Sequence, residues 1–300
     1  MKKKTLGFTL TETLVAIVIG MISVAAAFSA YNYFNKSYAS ISQKAAISKS
    51  AREALSTIAR DLRNTGYFHI DFVNNNCELY NQGHVDGVLI GIFTNHNRNN
   101  MWKGGKSGKS DGLEVNYSIS VKDRKRTGYK LREYKNPENR GNYYLARDIT
   151  INPNGNHSSR GCSGNPAQPI SDKEIFVPFV EDFQVIAKNR KGEILFPVCI
   201  GCSDYENTRG GRTESKKNMK EVHTVDIYLT VRSPKEVYSK ARRTKIQNGE
   251  SSHGSNFTIS ADKYHRETFF VSVHTRNLAT HQVKIASSGQ SIGVGTGYNK

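Results

Sequence analysis

The chain has 300 residues, of which 37% are hydrophobic, and its 43 Lys and Arg outnumber its 26 Asp and Glu, for a formal charge of +17. This length accommodates one large domain or two small ones, with a sizeable core. The polar remainder, rich in Gly, Asn, Ser and Tyr, suits a β-rich exported domain better than a compact helical enzyme. A basic surface attracts nucleic acid, anionic lipid or acidic glycans, so charge alone names no partner.

A basic leader and a long apolar segment form the N-terminus. Lys2, Lys3 and Lys4 precede Phe8 to Ala30, a run of 23 residues in which Glu12 is the single charge. A run of this length spans a hydrocarbon core of about 30 Å as a helix. The three lysines predict a cytoplasmic N-terminus, which places the rest of the chain outside the cytoplasm.

An ordinary secretory signal peptide is the alternative interpretation of this segment. Such a peptide has an apolar stretch of about 7–15 residues, followed by a cleavage site of small residues. The stretch in this chain is longer, although Ala25-Ala26-Ala27 is similar to such a site. We therefore favour a membrane anchor.

Glu12 is expected to need a partner, because a carboxylate within a membrane helix costs on the order of 2.5–3.5 kcal/mol. If the leader is cut after Gly7, the new α-amino group of Phe8 lies four residues, or about 6 Å, before Glu12. The amino group of a neighbouring subunit would neutralise the carboxylate in apolar surroundings and fix the axial register between helices. The alternative is that Glu12 extends to the membrane interface.

The stretch Gly7-Phe8-Thr9-Leu10-Thr11-Glu12-Thr13-Leu14-Val15 closely resembles the processing motif of type IV prepilins. The resemblance implies that a prepilin peptidase cuts after Gly7 and methylates the amine of Phe8. It also implies that Glu12 is needed for assembly. Many major pilins carry Pro in the distal half of this segment, whereas this chain has none between Phe8 and Gly66, and Gly20 is a weak point of the helix.

The helix is predicted to continue beyond the membrane, since residues 31–64 contain neither Pro nor Gly. Apolar side chains recur there at spacings of mostly three or four, at Phe34, Tyr38, Ile41, Ala45, Leu55, Ile58, Ala59 and Leu62. We expect one helix from Phe8 to about Asn64, ended by Gly66. A sheet is expected to cover the apolar stripe of its second half.

Short β-prone runs follow Gly66, at Val88–Phe93, Leu113–Ser120, Tyr143–Ile151, Ile175–Ile186, Val222–Arg232 and Thr268–Arg276. They predict an α+β, pilin-like fold in which a long N-terminal α-helix, transmembrane in its first half, packs on an antiparallel β-sheet globular domain. Residues 95–111 and 233–264 are interpreted as long surface loops.

These patterns divide the chain into five parts. They are a leader (1–7), a transmembrane and assembly helix (8–30), an amphipathic continuation of that helix (31–66), a β-rich domain on the periplasmic or extracellular side (67–286) and a flexible Gly/Ser-rich tail (287–300).

Several segments resemble the PilW family of minor pilins, namely Ser50–Leu55 with Ile58–Tyr67, Ser110–Val115, Val180–Val185, Asp226–Arg232 and Phe270–Leu278. The resemblance implies a structural subunit that primes pilus assembly in the inner membrane and lies at or near the tip. It further implies roles in motility, adhesion and DNA uptake. The implied partners are the prepilin peptidase, other major and minor pilins, and the inner membrane.

Four cysteines, Cys77, Cys162, Cys199 and Cys202, all follow the apolar segment. An even number in an exported domain favours two disulfides. Three pairings are possible, and we favour Cys199 with Cys202 and Cys77 with Cys162. The Cys199-Ile200-Gly201-Cys202 spacing also matches a thiol–disulfide active site, but no helical run follows it, so we favour a structural clip.

No enzyme is predicted. No Ser, His and Asp arrangement carries a hydrolase signature, and Gly293, Gly295 and Gly297 neither follow a strand nor open a helix, as a phosphate loop would require. Zinc would need two further ligands near the Cys199–Cys202 pair, and the histidines show no pair at ligand spacing. We expect no cofactor and no metal.

Two basic clusters are candidate contacts for extracellular DNA or another polyanion. The first contains Arg124, Lys125, Arg126 and Lys130, and the second contains Arg242, Arg243 and Lys245. Tyrosines available for stacking on bases are Tyr129, Tyr134, Tyr143 and Tyr144. The alternative interpretation is solvated loops on a basic protein.

Three functions compete with that of a minor pilin. They are a minor pseudopilin of a type II secretion system, a membrane-anchored adhesin or binding protein that never polymerises, and a membrane-tethered thiol oxidoreductase. The segments near the C-terminus favour the pilin. Before assembly it is expected to be a single-pass inner-membrane protein with a cytoplasmic N-terminus, and afterwards part of a pilus at the cell surface, where a host surface is a further possible partner.

Overall fold

A computed structural model of the chain describes residues 9–67, 90–93, 110–119, 124–152, 170–196, 198, 214, 217–219, 221–246 and 257–280. The chain forms two units, one ending at Ile47 and the other beginning at Ser48. The described part of the first unit is the N-terminal portion of one helix. The second unit contains the remainder of that helix and the β-sheets.

Helix α1 runs over Leu10–Asn64 without interruption. It contains no Pro, and Gly20 is its only Gly. Gly66 follows the end of the helix by two residues, and its φ of +78° is a left-handed conformation that glycine adopts without a steric penalty. A Cβ at Gly66 would lie only 2.8 Å from Leu278 Cδ2, so the Leu278 side chain would have to shift to admit one. The predicted helix and its end are confirmed from Leu10 onward.

The part of α1 after Ser48 buries one face. The buried side chains recur at helical spacing and are Ala51, Ala54, Leu55, Ile58, Ala59 and Leu62. Complete burial of Ile58 and of Leu62 each contributes about 1.5–3 kcal/mol to the stability of the folded domain. The predicted apolar stripe is therefore confirmed in this half, whereas Phe34, Tyr38 and Ile41 of the first unit are exposed.

The first sheet, sheet A, has five antiparallel strands. In pairing order they are β1 (Ile90–Phe93), β2 (Gly112–Ser118), β3 (Arg124–Glu133), β4 (Tyr143–Asn152) and β5 (Ile170–Val177). A short 3-10 helix, Pro137–Asn139, connects β3 to β4. Successive side chains of a strand point to opposite faces, and this places Leu113, Val115 and Tyr129 together on the buried face.

The remaining strands form two further antiparallel sheets. Their bounds are β6 (Val180–Lys188), β7 (Ile194–Leu195), β8 (Thr224–Glu236), β9 (Arg242–Ile246), β10 (Phe257–Asp262) and β11 (Tyr264–His274), and a short helix α2 (Arg276–Thr280) follows. Sheet B has the order β11-β8-β6-β7, and β9 pairs with β10 in sheet C. On sheet B, Phe183, Ile227 and Leu229 are fully buried.

Sheets A and B meet at the start of β2. The N–H of Asp111 donates to the carbonyl of Phe183 at 2.7 Å, and the N–H of Val185 donates to Asp111 Oδ2 at 3.0 Å. Ser110 and Asp111 are buried there. The prediction of a surface loop over 95–111 is therefore wrong at its last two residues, because they continue into the junction, and residues 95–109 lie outside the described part.

The turn between β5 and β6 splits the single run predicted over 175–186. Pro178 and Phe179 occupy it, and Phe179 has φ +53°, a conformation uncommon for a residue with a side chain. Contacts compensate for the strain, since the Phe179 carbonyl accepts the Arg232 N–H at 2.8 Å and its ring lies 5.7 Å from that of Tyr134.

Three further interpretations are corrected. The stretch that we interpreted only as a basic cluster forms strand β3. Charged residues alternate there with buried ones, as expected of a strand with one face in the core. Residues 233–264 contain the end of β8 and all of β9 and β10 rather than one long loop. The run predicted to reach Arg276 ends at His274 and gives way to α2. The α+β class, with a long N-terminal helix and antiparallel sheets, is confirmed.

Candidate assembly segment and surrounding sites

Thr9 and Glu12 close the N-terminal turn of α1 through reciprocal hydrogen bonds. The backbone N–H and the hydroxyl of Thr9 each donate to Glu12 Oε2 at 2.9 Å. In return, the Glu12 N–H donates to the Thr9 hydroxyl at 3.3 Å. Two polar residues three apart thus satisfy helix-end groups that have no partner inside the helix, which is a capping box. Sequence reasoning gave Glu12 an intermolecular role and missed this local one, although Thr9 and Glu12 have the required spacing.

The apolar segment that follows Glu12 is exposed. The large hydrophobic side chains between Leu10 and Phe28 are 42–79% exposed. An 18-residue window of α1 has a mean hydropathy of 2.3 and is not buried against any part of the chain, so the helix is long and apolar enough to cross a membrane. Exposing this surface to water would cost about 25 cal/mol per Å². The segment therefore requires lipid or other helices around it.

Several of the predicted site residues lie outside the described part of the chain. They are the cleavage residue Gly7, the methylation residue Phe8 and the four cysteines Cys77, Cys162, Cys199 and Cys202. Their roles in processing and in disulfide formation stay predictions.

Asp61, near the end of α1, anchors the helix to sheet A. Its side chain is completely buried. Its two oxygens accept the hydroxyl protons of Tyr117 at 2.9 Å and of Tyr129 at 2.7 Å. Lys125 and Arg147 supply positive charge at 3.7 and 3.6 Å. Three neighbouring strands, β2, β3 and β4, thus converge on one carboxylate.

The Asp61 cluster shifts the acid–base behaviour of its members. Burial, together with the negative charge of Asp61, raises the pKa of both Tyr117 and Tyr129, so both remain hydroxyl donors at physiological pH. Burial lowers the pKa of Lys125, and the charge of Asp61 opposes that shift. The sequence showed the segment around Asp61 only as one that resembles a known family. It did not reveal the contacts of Asp61, because Tyr117 and Tyr129 lie 56 and 68 residues away.

The first basic cluster is divided between the two faces of β3. Lys125 points inward to Asp61, whereas Arg126 pairs with Glu114 at 2.6 Å and Lys130 pairs with Asp148 at 3.1 Å on the other face. These cations therefore already contact carboxylates of the same chain. Arg124 is the first residue of the strand.

The tyrosines proposed for base stacking are also engaged in the fold. Tyr129 is fully buried, so its proposed stacking on a base is wrong. Tyr134 and Tyr144 pack on each other with ring centroids 4.9 Å apart. Tyr143 begins β4 and is half-buried.

The second basic cluster lies on β9, and its three cations are exposed. The Arg242 guanidinium lies over the ring of Tyr238, 4.5 Å from its centroid. Within the described ranges, Arg242, Arg243 and Lys245 form no ion pair with a carboxylate. Of the two predicted clusters, this one leaves more charge open to an external partner.

Two histidines far apart in sequence meet at one end of sheet B. The rings of His223 and His274 lie 4.4 Å apart with an interplanar angle of 72°. Sequence reasoning missed the pair, because only the pairing of β8 with β11 brings them together. No group of three His, Cys, Asp or Glu side chains suited to a metal occurs in the described part of the chain.

Comparison with known families bears on the N-terminal segment. Residues 2–28 match the family model of the prokaryotic N-terminal methylation motif. This is a prepilin-type N-terminus. A prepilin-type N-terminus implies processing by a prepilin peptidase and assembly with other pilins. With the apolar helix, it fits a membrane-anchored pilin that later joins a pilus. Prepilin-type proteins are structural subunits, which agrees with the prediction that this chain is not an enzyme.

A type IV-like pilin from Thermus thermophilus is similar in structure, with 15% sequence identity and a TM-score of 0.37. The similarity covers 77% of this chain and 96% of that pilin. No curated protein matches the sequence. At these values the fold assignment rests on the helix and sheets described above, and the resemblance to PilW stays a prediction.

Proposed function

We propose that this chain is a PilW-like minor pilin of a type IV pilus. It is cut after Gly7, methylated at Phe8, held in the inner membrane with its N-terminus in the cytoplasm, and then incorporated at or near the pilus tip to initiate assembly. Motility, adhesion and DNA uptake are the processes that such a subunit serves. The observation that carries the proposal is Glu12, a carboxylate on the first turn of an exposed apolar helix within a methylation motif.

The geometry at Glu12 suits an intermolecular ion pair. Both bonds from Thr9 go to Oε2. Among the residues that the structure describes, no donor contacts Oε1, the atom that a partner's α-amino group would approach. The capping bonds hold the carboxylate in one orientation, so less side-chain freedom is lost on pairing.

The exposed apolar surface supplies the second element of assembly. Val18, Ile22 and Phe28 are all exposed in this chain, and neighbouring pilin helices would cover such side chains in a fibre. Burial of this surface provides the attraction, while the Glu12–amine pair fixes the register.

The direct test is the intact mass of the protein recovered from cells. We expect loss of residues 1–7 and the gain of one methyl group. A protein that begins at Met1, or one that begins after Ala25–Ala27, would overturn the proposal.

A charge-specific test uses Glu12→Gln. Glutamine keeps a capping oxygen for Thr9 but removes the negative charge. We expect the variant to be processed and folded but absent from purified pili. If the function is that of a non-polymerising adhesin, the variant keeps full function at the cell surface.

Two of the competing functions separate in a deletion strain. Loss of surface pili supports the minor pilin, whereas loss of secreted enzymes with pili intact supports a type II pseudopilin. A membrane-tethered oxidoreductase predicts a reducible and solvent-reactive Cys199 instead.

Polyanion contact is a second candidate function, supported by the exposed cations of β9. A strand pair carrying Arg242, Arg243 and Lys245 can follow a phosphate backbone. For duplex DNA, each phosphate that a protein neutralises makes the slope of log binding constant against log salt concentration steeper by about 0.9. The cations of β3 contribute less, because their charges are balanced within the fold.

The test compares two triple variants of the full-length protein binding to duplex DNA at several salt concentrations. The first changes the three β9 cations to Gln. The control changes Arg140, Lys173 and Lys191, exposed cations elsewhere, to Gln and so removes the same charge. We expect only the β9 triple variant to bind DNA more weakly. Its slope of log binding constant against log salt concentration should be shallower than that of the parent by up to about 2.7. Equal effects of both variants would show non-specific attraction instead.

A further inference from the structure

Four aromatic residues of α1, Tyr31, Tyr33, Phe34 and Tyr38, directly follow the apolar segment, and we refer to them as the aromatic collar. Their side chains are 62–75% exposed. They alternate with polar residues, including Asn32, Asn35 and Lys36. No contact within the helix other than the edge-to-face pair of Tyr33 and Phe34, with centroids 5.9 Å apart, occupies these rings in the described part of the first unit.

Three of the four rings of the collar lie on one side of the helix, and the fourth lies nearly opposite. At 3.6 residues per turn, Tyr31, Phe34 and Tyr38 fall within about 60° of one another, whereas Tyr33 lies about 160° from Tyr31. A stripe that packs on a single neighbouring helix would keep its large residues on one side. Tyr33 departs from such a stripe, and aromatic residues mixed with polar ones beside an apolar segment are typical of a membrane–water interface.

The distance between the collar and the N-terminal turn matches the thickness of a bilayer core. From Glu12 to Tyr31 there are 19 residues, or about 29 Å of helix, compared with about 30 Å of hydrocarbon. Glu12 and Lys36 are the only charged residues between Thr9 and Gln43. At the N-terminal end, Thr11 and Thr13 add polar groups next to Glu12, and the Thr13 hydroxyl donates to the Thr9 carbonyl at 3.1 Å.

We propose that the aromatic collar lies in the phospholipid headgroup region on the outer side of the inner membrane and sets the depth of the helix. The depth then places Glu12 at the cytoplasmic boundary of the hydrocarbon, not within it. The inference rests on the proposed membrane-anchored function and specifies where its carboxylate meets a partner. At the boundary, Glu12 stays partly hydrated until an incoming amine pairs with it, so no large insertion cost precedes assembly.

Depth-dependent fluorescence quenching tests the placement in the full-length protein reconstituted in phospholipid vesicles. Trp102, the single tryptophan, is changed to Phe, and one reporter is then introduced as Leu10→Trp, Ile22→Trp or Tyr33→Trp. We expect the Ile22 reporter to lie about 16 Å deeper than the Tyr33 reporter and about 18 Å deeper than the Leu10 reporter. Lipids brominated near the chain ends then quench the Ile22 reporter most, and lipids brominated near the headgroup quench the other two most.

A second comparison tests whether the collar sets the depth. Changing Tyr31, Tyr33 and Tyr38 to Ala is expected to shift the Leu10 reporter away from its shallow position, whereas the control Tyr67→Ala leaves it in place. A deep Leu10 reporter, a water-exposed Tyr33 reporter, or an unchanged depth in the triple variant would each overturn the inference. The pilin proposal is tested separately by the intact mass of the protein recovered from cells. That mass does not depend on how deeply the helix lies in the membrane.

Discussion

Glu12 and Asp61 are two carboxylates on the same helix with opposite surroundings. Glu12 is exposed and bonded only within its own turn, to Thr9. Asp61 is completely buried and contacts side chains from three strands. Because the described partners of Asp61 all belong to its own chain, Asp61 serves the fold, whereas the proposed function gives Glu12 a partner in another subunit. The number of partners that each carboxylate finds inside the chain thus separates the structural role of Asp61 from the assembly role that we propose for Glu12.

The largest effect is expected from Asp61→Ala. The change leaves two buried tyrosine hydroxyls without their acceptor and removes the buried negative charge beside Lys125 and Arg147. Removing one partner of a buried charged cluster costs about 3–5 kcal/mol. Denaturant titration of the full-length protein in detergent measures the loss. Glu53→Ala, which removes an exposed pairing with Lys49, is the control and should change the free energy of unfolding by less than about 0.5 kcal/mol. Equal stabilities for the two variants would contradict the anchoring role.

A smaller effect is expected at Asp111, a third carboxylate, which is buried beside another acid. Burial raises its pKa well above the ordinary value, and the nearby charge of Asp182 adds to this shift, while the bond from the Val185 N–H opposes it. The folded protein therefore holds a proton that the unfolded chain releases near pH 4. Stability then falls as the pH rises above that value toward the raised pKa.

Asp111→Asn tests this difference, since an amide keeps an acceptor for the Val185 N–H without a charge. We expect the variant to be more stable than the parent at pH 7 and to lose less stability between pH 4 and pH 7. Thermal unfolding across that range is the measurement, with the exposed Asp172→Asn as the control. An Asp111→Asn variant that loses as much stability as the parent between pH 4 and pH 7 would refute the assignment.

The smallest effect is expected from Thr9→Ala, which removes the cap but keeps the Glu12 charge. Loss of an N-cap side chain costs about 1 kcal/mol, and here it acts on one helix end. Circular dichroism of the membrane-reconstituted protein should show slight fraying, and incorporation into pili should persist at a reduced level. If Thr9→Ala abolished incorporation as completely as Glu12→Gln, the cap and not the charge would be decisive.

The sequence predicted the features that depend on local spacing. Lys2 to Glu12 predicted the prepilin-type N-terminus, and the run to Asn64 followed by Gly66 predicted the helix and its end. Contacts across long separations escaped prediction, because nothing near Asp61 in the sequence indicates Tyr117 or Tyr129. Strand β3 was also missed. Its many charged residues suggested a basic cluster, although Thr127, Tyr129 and Leu131 alternate with them and face the core.

The end of α1 is closed by two residues of the short helix α2, Asn277 and Leu278. Asn277 donates to the carbonyl of Arg63 at 3.1 Å, across 214 residues of sequence, and Leu278 occupies the space that a side chain at residue 66 would fill. A contact of such long range forms late, because the entropy of closing so large a loop must be overcome first. The end of the helix is therefore sealed only after the strands that bring α2 beside it have paired.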